Sequence, residues 1–323
     1  MTRSDFEDLF PKPLFIMMIG LPGSGKSTAA KKLMDRYADR NIEIFSSDKY
    51  REMILGDENN QDNNQLVFNS LYNDLIEAIL AGKNVILDAT NVTIKDRKKC
   101  LDRISKYAVN KVAYFMDTPY EQCILNDLKR DRSVGEQVIA KFLHKFQFPQ
   151  KYEGFDEIIM DKHVDKDPTY NAAVAGLYLS RMKHFDQKNP HHLYFLDRHC
   201  GTLAALANNA THNNILSEAG YFHDVGKLFT QRVDEDGVAH YYNHDSVGAY
   251  IIATHPEVTY LKTWDEIYEM IFYINFHMRA HRDFTGAKAE RKYRKLFGDR
   301  LFNNLMQFAE WDRIASGTYK EEI

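Results

Sequence analysis

The sequence predicts an α/β domain built on a parallel sheet, followed by an all-helical domain. At 323 residues the chain exceeds the usual size of a single domain. Its first half alternates short apolar runs with helical segments, which is typical of a parallel sheet covered by helices on both faces. Its second half consists of long helical segments. We therefore expect one domain over residues 1–163 and a second over residues 164–323.

Five segments of the first half are expected to form strands. Leu14–Ile19 is entirely apolar, as a strand buried on both faces of a sheet requires. The other predicted strands cover residues 42–45, 85–87, 112–116 and 155–160. Helices are expected over residues 27–38, within the stretch that leads to Gly82, and over residues 95–107.

The second half begins after a charged segment. Residues 161–170 read DKHVDKDPTY, and their charge and proline indicate a linker. A hairpin is expected around residues 234–237, which read DEDG. The predicted helices cover residues 171–186, 200–222, 244–254, 263–278 and 289–308.

Composition excludes a strongly basic protein. The net charge is −4 and the pI is near 6.4, so any nucleic-acid binding must rest on local clusters of charge. The three cysteines form no CxxC pair, which indicates a reducing compartment. The longest early apolar run is too short to span a bilayer. We expect a soluble, cytoplasmic protein with no membrane partner; the oligomeric state is left open.

A glycine-rich segment predicts a nucleotide site. Residues 20–27 read GLPGSGKS and match GxxxxGK[ST] at every fixed position, with an apolar strand before and a helix after. Backbone N–H groups of such a loop surround phosphate oxygens, and the helix N-terminus adds its positive dipole end. Lys26 would reach the β- and γ-phosphates and Ser27 would hold Mg²⁺. The expected cofactors are ATP, or GTP, with Mg²⁺, bound by Gly20, Gly23, Ser24, Gly25, Lys26, Ser27 and Thr28.

Polar residues after the next strands predict the acceptor side. Asp48 is suited to accept the proton of an attacking hydroxyl, and Arg51 to hold an acceptor phosphate in a forked grip. Arg130 and Arg132 are expected to close over the transferring phosphoryl group. Asp88 begins the segment DATN at the carboxyl edge of the sheet, where ligands of such folds bind.

Alternatives remain for three of these residues. Asp48 would also suit the N-cap of the following helix. Arg132 would also be an ordinary surface charge. Asp88 would orient the phosphate loop or a Mg²⁺-bound water rather than contact the acceptor.

Residues 12–160 resemble the P-loop kinase family that contains phage polynucleotide 5′-kinase. The matching segments are GLPGSGKST, SSDKYR, LDATN, RDRSV and EGFDEII. The resemblance implies that Asp48 is the general base, that Arg51 contacts the acceptor's 3′-phosphate, and that Arg130 serves the transition state. The family pattern places a second lid arginine four positions earlier, where this sequence has Asn126. The wider family also includes kinases of small metabolites.

Histidines and aspartates of the second half predict a metal site. Facing helices of a bundle can bring such ligands to one centre. Imidazole and carboxylate ligands together suit Mn²⁺, Fe²⁺, Co²⁺, Ni²⁺ or Zn²⁺, and one or two such ions would activate water for attack on phosphorus. Lys227 would neutralise a substrate phosphate. The candidate ligands are His199, His223, Asp224, His244, His277 and Asp312.

Four other histidines are expected in loops or at the surface, with a pocket-lining role as the alternative for His192. They are His191, His192, His255 and His281.

Residues 175–315 resemble the HD phosphohydrolase superfamily. Its signature H…HD…D is matched at His199, His223, Asp224 and Asp312, and His244 and His277 match positions that let some members hold a second metal. FDQKNPHH and HDVGK also resemble HD domains fused to RNA-processing enzymes. Those include a fusion with a polynucleotide kinase in the opposite domain order. The resemblance implies a metal-dependent phosphatase or phosphodiesterase.

Two basic segments are candidates for nucleic-acid contact. Residues 279–300 hold eight Lys or Arg against three Asp or Glu, and the helix over 95–106 is also basic. Phosphate backbones bind such clusters. A solvated helix face is the alternative.

These features favour an enzyme that heals RNA or DNA ends, with RNA the expected substrate. The kinase would phosphorylate a 5′-OH, while the second domain would remove a 3′-phosphate or a 2′,3′-cyclic phosphate. A ligase would then act downstream. One rival is a small-molecule or nucleoside kinase fused to a nucleotide phosphohydrolase. A second rival uses the phosphate loop as an ATP-gated switch for the second domain.

Overall fold

The computed structural model describes residues 12–58, 60, 62–130, 132–161, 168–284 and 286–317. The chain divides into two compact units. The first comprises the residues up to Phe142 together with Pro149–Val164, and the second comprises Leu143–Phe148 together with the residues from Asp165 onward. Most of the expected linker, residues 162–167, lies outside the described residues.

One short segment departs from the expected division at residue 163. Leu143–Phe148 belongs to the second unit, although it precedes the last strand of the first. The ring of Phe146 packs edge-on against Tyr250 with centroids 4.8 Å apart, and the ring of Phe148 lies 6.0 Å from that of Tyr268. This aromatic packing explains the departure, because it gives an apolar segment a buried position among helices distant in sequence.

The first unit contains a five-stranded parallel sheet, as predicted. Its order is β2-β3-β1-β4-β5, so β1 lies at the centre and the loop that follows it emerges at the carboxyl edge. The strands are β1 Leu14–Ile19, β2 Ile42–Ser46, β3 Asn84–Asp88, β4 Asn110–Met116 and β5 Glu157–Asp161.

Helices and two short 3₁₀ segments, Ala38–Arg40 and Lys151–Glu153, connect these strands. Alternate side chains of β1, including Leu14, Ile16 and Met18, are fully buried against Leu33 of the first helix. The helices are α1 Lys26–Arg36, α2 Ser47–Leu55, α3 Asn64–Leu80, α4 Ile94–Ile104, α5 Tyr120–Leu128 and α6 Glu136–Leu143.

A buried ion pair connects α4 to the 3₁₀ segment before β5. Arg97 donates two hydrogen bonds, of 2.7 and 2.8 Å, to the carboxylate of Glu153, and both side chains are inaccessible to solvent. A third hydrogen bond of 3.0 Å runs from Arg97 to the carbonyl of Asn91 in the loop after β3. The pair therefore holds together segments that the sequence separates by more than fifty residues.

Replacing Arg97 with methionine is expected to destabilise the protein by about 3–5 kcal/mol, because Glu153 would remain buried and uncompensated. Urea denaturation followed by circular dichroism would measure the loss. The matched control is Lys98→Met, since the neighbouring Lys98–Asp102 pair is largely exposed and is expected to contribute less than about 1 kcal/mol. Equal effects of the two substitutions would contradict this assignment.

The second unit is helical, as predicted, and carries one small hairpin. The hairpin pairs β6 Gln231–Val233 with β7 Ala239–Tyr241 around the expected turn. A 3₁₀ segment covers Pro256–Val258. The helices are α7 Pro168–Lys183, α8 Leu196–Thr211, α9 Asn214–Phe222, α10 Lys227–Thr230, α11 His244–Thr254, α12 Trp264–Arg282, α13 Ala287–Phe297 and α14 Asp299–Ala315.

Two segments predicted as single helices are each divided in two. The segment over 200–222 breaks at His212, which is left-handed at φ 51°, and the Asn213 side chain caps the next helix. The segment over 289–308 breaks at Gly298 with φ 81°. Both breaks have local causes that a periodic pattern of apolar residues does not show, namely a polar cap and a glycine.

Close packing brings the turn after α9 against α11. A Cβ atom on Gly226 would lie 2.0 Å from the carbonyl oxygen of His244 and 2.6 Å from the amide nitrogen of Gly248. Only glycine permits this approach, which places His223 and Asp224 beside the start of α11.

Within the described ranges, no helix has both the length and the apolar character that a transmembrane span needs.

Candidate functional sites

The phosphate loop follows β1 and leads directly into α1. Its lysine, Lys26, is buried, and the Nζ atom donates a 2.7 Å hydrogen bond to the carbonyl of Leu21 across the loop. Ser27 and Thr28 lie in the first turn of α1 and are exposed. Their helix supplies unpaired backbone N–H groups and its positive dipole end at the mouth of the loop.

Glycines are required at two positions of this loop. A Cβ atom on Gly23, which has φ +78°, would lie 2.2 Å from the carbonyl oxygen of Cys123. A Cβ atom on Gly20 would lie 2.6 Å from Ser24 Oγ. The resulting cradle has no side chains on its inner surface at these points, as close approach of phosphate oxygens to the backbone requires.

Two asparagines brace the loop. Asn91 is buried and donates a 2.8 Å hydrogen bond to the carbonyl of Met18 in β1. Asn126, at the position where the family pattern has a second lid arginine, donates a 2.9 Å hydrogen bond to the carbonyl of Gly23. At the position of that arginine, the neutral Asn126 side chain therefore holds the phosphate loop.

The expected acceptor residues form a pair at the start of α2. Arg51 donates a 2.6 Å hydrogen bond to Asp48 and a 3.3 Å hydrogen bond to Asn64, and its guanidinium lies over the ring of Phe68. Arg51 is mostly buried, while the Asp48 side chain is half exposed. The N-cap of α2 is Ser46, so Asp48 is not the cap. Its carboxylate is accessible to an incoming hydroxyl.

Asp88 ends β3 and is buried beside the phosphate loop. It pairs in register with Ser46 across the neighbouring strand. Burial lowers the pKa of Lys26, and the negative charge of Asp88 opposes that shift. This arrangement favours the role of orienting the loop or a Mg²⁺-bound water over direct contact with the acceptor.

The two lid arginines have acidic partners. Arg130 lies 3.7 Å from the buried Asp127, and Arg132 lies 2.5 Å from Glu58. These partners hold the guanidinium groups near the segment that connects α5 to α6. Within the part of the chain that the structure describes, no hydrogen bond joins either arginine to the phosphate loop, although burial, helped by the charge of Arg130, lowers the pKa of Lys26. The catalytic role of both arginines stays a prediction.

In the second unit, four of the predicted ligands form one group. His199 Nε2 lies 3.2 Å from His223 Nε2 and 3.0 Å from Asp312 Oδ1. Asp224 Oδ2 lies 3.4 Å from His199 Nε2 and 3.3 Å from His223 Nε2. All four side chains are buried. The helices α8 and α14 supply His199 and Asp312, and the turn after α9 supplies the other two.

A second group shares one aspartate with the first. Asp224 turns its Oδ1 atom toward His244 Nε2 at 3.0 Å and His277 Nε2 at 3.6 Å, and those two nitrogens are 3.2 Å apart. The ligand atoms of His199, His223 and Asp312 lie close enough together to hold one metal ion, and so do those of Asp224, His244 and His277. The two oxygens of Asp224 therefore face two adjacent groups, as a carboxylate between two cations would.

Comparison with known proteins identifies the first unit. Residues 15–149 match the family described as AAA domain. Adenylate kinase from Enterococcus faecalis (strain ATCC 700802 / V583) is 30% identical over 148 residues, which are 43% of this chain and 68% of that enzyme. The chain belongs to the P-loop kinases. We call residues up to Phe142 with Pro149–Val164 the kinase unit, and the remainder the helical unit.

The chain is also similar to other proteins, and it spans about half the length of some of them. L-seryl-tRNA(Sec) kinase from Methanococcus maripaludis is 26% identical over 144 residues, which are 42% of this chain and about half, 53%, of that enzyme. A chain of the Pnkp1/Rnl/Hen1 RNA repair complex is 25% identical, with a TM-score of 0.35, over 41% of this chain and 43% of that chain. The kinase CysC of Mycobacterium tuberculosis, an APS kinase, is 16% identical, with a TM-score of 0.37, over 51% of this chain and 98% of that chain.

The donor set of the helical unit fits divalent cations. His223, His244 and His277 each bring Nδ1 to 2.7–2.8 Å from a backbone carbonyl three residues earlier, so each Nδ1 carries a proton. In the neutral form of these rings, the Nε2 atoms that converge on Asp224 are lone-pair donors. Facing lone pairs and carboxylates in a buried site require positive charge between them, and the backbone hydrogen bonds are the outer partners that metal-bound histidines usually have.

The pKa values of residues in the first group are shifted by their charged neighbours. Burial works to lower the pKa of His199, but hydrogen bonds to Asp224 and Asp312 outweigh it and raise the pKa to about 9. Burial would raise the pKa of Asp224, yet neighbouring His223 and Lys227 hold it well below its usual range. Burial would also raise the pKa of Asp312, but His223 and His199 likewise hold it well below its usual range, so both aspartates are ionised and available as ligands at neutral pH.

Lys227, predicted to neutralise a substrate phosphate, is instead bound to three protein side chains. Its Nζ atom lies 2.6 Å from Asp224 Oδ2, 2.8 Å from Gln187 Oε1 and 3.1 Å from His192 Nε2. An ammonium group has three N–H donors, so these partners use all of them. Lys227 thus positions Asp224, and it would have to give up a partner to neutralise a substrate phosphate.

Two histidines expected in loops or at the surface make defined contacts in the helical unit: His281 is exposed, as predicted, whereas His255 is buried. His281 donates from Nε2 to Asp312 Oδ2 at 2.9 Å, which turns the other carboxylate oxygen of Asp312 toward the first group. His255 is buried next to Tyr178 at the end of α11. The spacing of His281, four residues after His277 on α12, was the signal in the sequence that both would lie on one face.

Proposed function

We propose that this chain heals nucleic-acid ends, with RNA as the expected substrate. The kinase unit phosphorylates 5′-OH ends with ATP and Mg²⁺. The helical unit, as a phosphohydrolase of the HD type, removes a 3′-phosphate or a 2′,3′-cyclic phosphate. The observation that carries this proposal is the sharing of Asp224 between two groups of metal-ligand atoms on a chain that also has a phosphate-loop kinase.

In the kinase reaction, a 5′-hydroxyl attacks the γ-phosphorus of ATP, the bond to the β-phosphate oxygen breaks, and ADP leaves. Asp48 accepts the hydroxyl proton, for which its half-exposed carboxylate is suited. Lys26 and the backbone of the phosphate loop hold the β- and γ-phosphates. Arg51 binds the phosphate next to the 5′-OH, and Arg130 offsets charge in the transition state.

In the hydrolase reaction, water attacks the phosphorus of a 3′-phosphate, the bond to the 3′-oxygen breaks, and a 3′-OH and inorganic phosphate form. A 2′,3′-cyclic phosphate takes two waters in turn: the first opens the ring to a monophosphate, and the second releases that phosphate. His199, His223 and Asp312 would hold one cation, with Asp224 Oδ2 beside them, and Asp224, His244 and His277 would hold a second. Such cations, when bound, supply Lewis acidity and lower the pKa of water. Lys227 keeps Asp224 ionised and in place through its 2.6 Å contact.

A basic stripe on α13 supports contact with nucleic acid. Four exposed cations lie at helical spacing on one face, and among the described residues no carboxylate forms an ion pair with them. The opposite face is partly buried, where Tyr293 packs on Phe284 and Arg294 pairs with Glu290. We define the basic stripe as Lys288, Arg291, Lys292 and Lys295.

The basic helix α4 is less suited to this role. Lys98 pairs with Asp102, Lys99 pairs with Asp96, and Arg97 is buried with Glu153. These carboxylates already offset its positive charge. The stripe on α13 is therefore the better candidate for the phosphate backbone.

Changing all four stripe residues to glutamine is expected to weaken binding of single-stranded RNA at least tenfold in low salt. Each phosphate contact that is lost reduces the slope of log affinity against log salt by about 0.7, so the slope should fall by up to about 3. Fluorescence anisotropy over a salt series measures both quantities. The control is Lys98→Gln with Lys99→Gln, which should leave the slope unchanged. An unchanged slope in the stripe variant would exclude this surface.

Competition between acceptors tests the proposal for the kinase unit. Labelled ATP would be offered with an RNA oligonucleotide that bears a 5′-OH and with an equimolar free nucleoside. We expect label on the oligonucleotide. Transfer to the nucleoside alone would support the alternative described next.

The alternative is a small-molecule kinase joined to a nucleotide phosphohydrolase. One relative favours this alternative. It is named adenylate kinase, and the match covers 68% of its length. The relative named L-seryl-tRNA(Sec) kinase favours an acceptor carried on RNA. The acceptor competition distinguishes the two.

A further inference from the structure

The loop between α7 and α8 is fixed on the metal-ligand side of the helical unit. The buried Gln187 donates a 3.0 Å hydrogen bond to the carbonyl of Tyr194 while it accepts from Lys227. The hairpin holds the same loop, because the Ala239 N–H donates to the carbonyl of Lys188 at 2.8 Å and the Ala239 carbonyl accepts from the Asn189 side chain at 2.8 Å. His192 is therefore presented by a rigid support.

His192 lies beside the first group of ligands without being one of them. Its ring centroid is 4.9 Å from that of His199, edge to face. Its Nε2 atom lies 3.1 Å from Lys227 Nζ. An ammonium group only donates, so His192 Nε2 accepts, and the proton of the neutral ring sits on Nδ1.

The Nδ1–H group of His192 has no acceptor among the described residues, and its nitrogen is buried. A buried donor without an acceptor costs about 1–3 kcal/mol, and such groups call for a specific explanation, such as a ligand. Lys227 is fully engaged by its three partners, which leaves His192 as a fixed donor beside the candidate metal centre.

We propose that His192 Nδ1–H donates a hydrogen bond to a non-bridging oxygen of the phosphate that is hydrolysed. This inference rests on the proposed phosphohydrolase function and adds a substrate-contacting residue to it. His192 keeps its proton throughout, so its role is to bind and orient the phosphate. Lys227 sets the tautomer of His192 by donating to its Nε2 atom. A series of hydrogen bonds thus runs from Asp224 through Lys227 and His192 to the phosphate.

Two substitutions separate this role from a structural one. The amide of asparagine at position 192 superposes on the Nδ1 side of imidazole, and the amide of glutamine superposes on the Nε2 side. His192→Asn therefore keeps a donor toward the substrate and loses the contact with Lys227, whereas His192→Gln keeps an acceptor for Lys227 and loses the donor. Both variants retain every residue of the two ligand groups.

The experiment measures kcat and KM for release of 3′-phosphate from an RNA oligonucleotide by the full chain loaded with Mn²⁺. Metal content is measured in parallel, along with binding of inorganic phosphate by calorimetry. We expect the metal content of both variants to equal that of the wild type. In His192→Gln, kcat should fall about 100-fold and phosphate should bind more weakly. His192→Asn should be more active than His192→Gln.

Other outcomes overturn the inference in distinguishable ways. If the wild type releases phosphate and both variants match it, His192 does not contact the substrate while the phosphohydrolase function stands. If His192→Gln is the more active variant, the role is only to accept from Lys227. If the wild type neither hydrolyses the oligonucleotide nor binds phosphate with Mn²⁺, the phosphohydrolase function fails and the inference fails with it.

Discussion

Replacing Asp224 with asparagine is expected to abolish phosphate release and to remove metal from both ligand groups. The Oδ2 atom of Asp224 faces His199 and His223, and its Oδ1 atom faces His244 and His277. Asparagine is nearly isosteric, but it loses the negative charge and one acceptor. Since changes to outer-shell partners already cost 10–100-fold, loss of this shared ligand should cost more than about 100-fold in activity.

Metal analysis and a 3′-phosphatase assay on the same sample measure the effect. The control is Asp234→Asn, because Asp234 is an exposed hairpin residue whose hydrogen bonds from backbone N–H groups an asparagine oxygen can still accept. Kinase activity should be normal in both variants. An Asp224→Asn protein that retained both metal and phosphatase activity would show that the shared aspartate is not a ligand.

Asp48→Asn is expected to reduce phosphoryl transfer to a 5′-OH by about 10²–10⁴-fold while ATP binding is retained. General-base catalysis typically contributes that much, and asparagine cannot accept the hydroxyl proton. Its amide oxygen still accepts from Arg51, so the 2.6 Å contact at the start of α2 has a substitute. Rapid-quench assays with labelled ATP measure the rate, and calorimetry measures nucleotide affinity.

This substitution also tests the idea that the phosphate loop is only a switch for the helical unit. A switch would survive Asp48→Asn and fail with Lys26→Ala, because only Lys26 belongs to the phosphate loop. Asp39→Asn serves as the control, since Asp39 is an exposed residue of the 3₁₀ segment after α1. If Asp48→Asn transferred phosphate at the wild-type rate, Asp48 would not be the base.

The kinase fold was predictable because its signals are local. Each central strand is an apolar run, the motif over residues 20–27 fixes a loop between a strand and a helix, and Gly23 is required by its backbone conformation. The six histidines and aspartates of the helical unit were also predictable as a set. Their spacing alone did not show that Asp224 would face two groups, because that depends on how α11 and α12 pack.

What the sequence did not show depends on contacts between distant segments. Arg97 looked like a member of a basic face, but its partner Glu153 is 56 residues away and both are buried. The contact of Lys227 with His192 spans 35 residues. Residues 143–148 join the helical unit through aromatic contacts with α11 and α12 and through the carbonyl of His144, which accepts a hydrogen bond from the Asn243 side chain. Periodicity reports which face of a helix is apolar, and it carries no information on which distant segment covers that face.

The central claim is that one chain repairs both ends of a broken nucleic-acid strand. The most direct measurement uses one RNA oligonucleotide with a 5′-OH and a 2′,3′-cyclic phosphate, incubated with ATP, Mg²⁺ and Mn²⁺ and analysed by mass spectrometry. The account predicts a 5′-phosphate and a 3′-end free of phosphate, with only the first lost in Asp48→Asn and only the second lost in Asp224→Asn. An oligonucleotide unchanged at both ends, alongside phosphorylation of a free nucleoside, would contradict it.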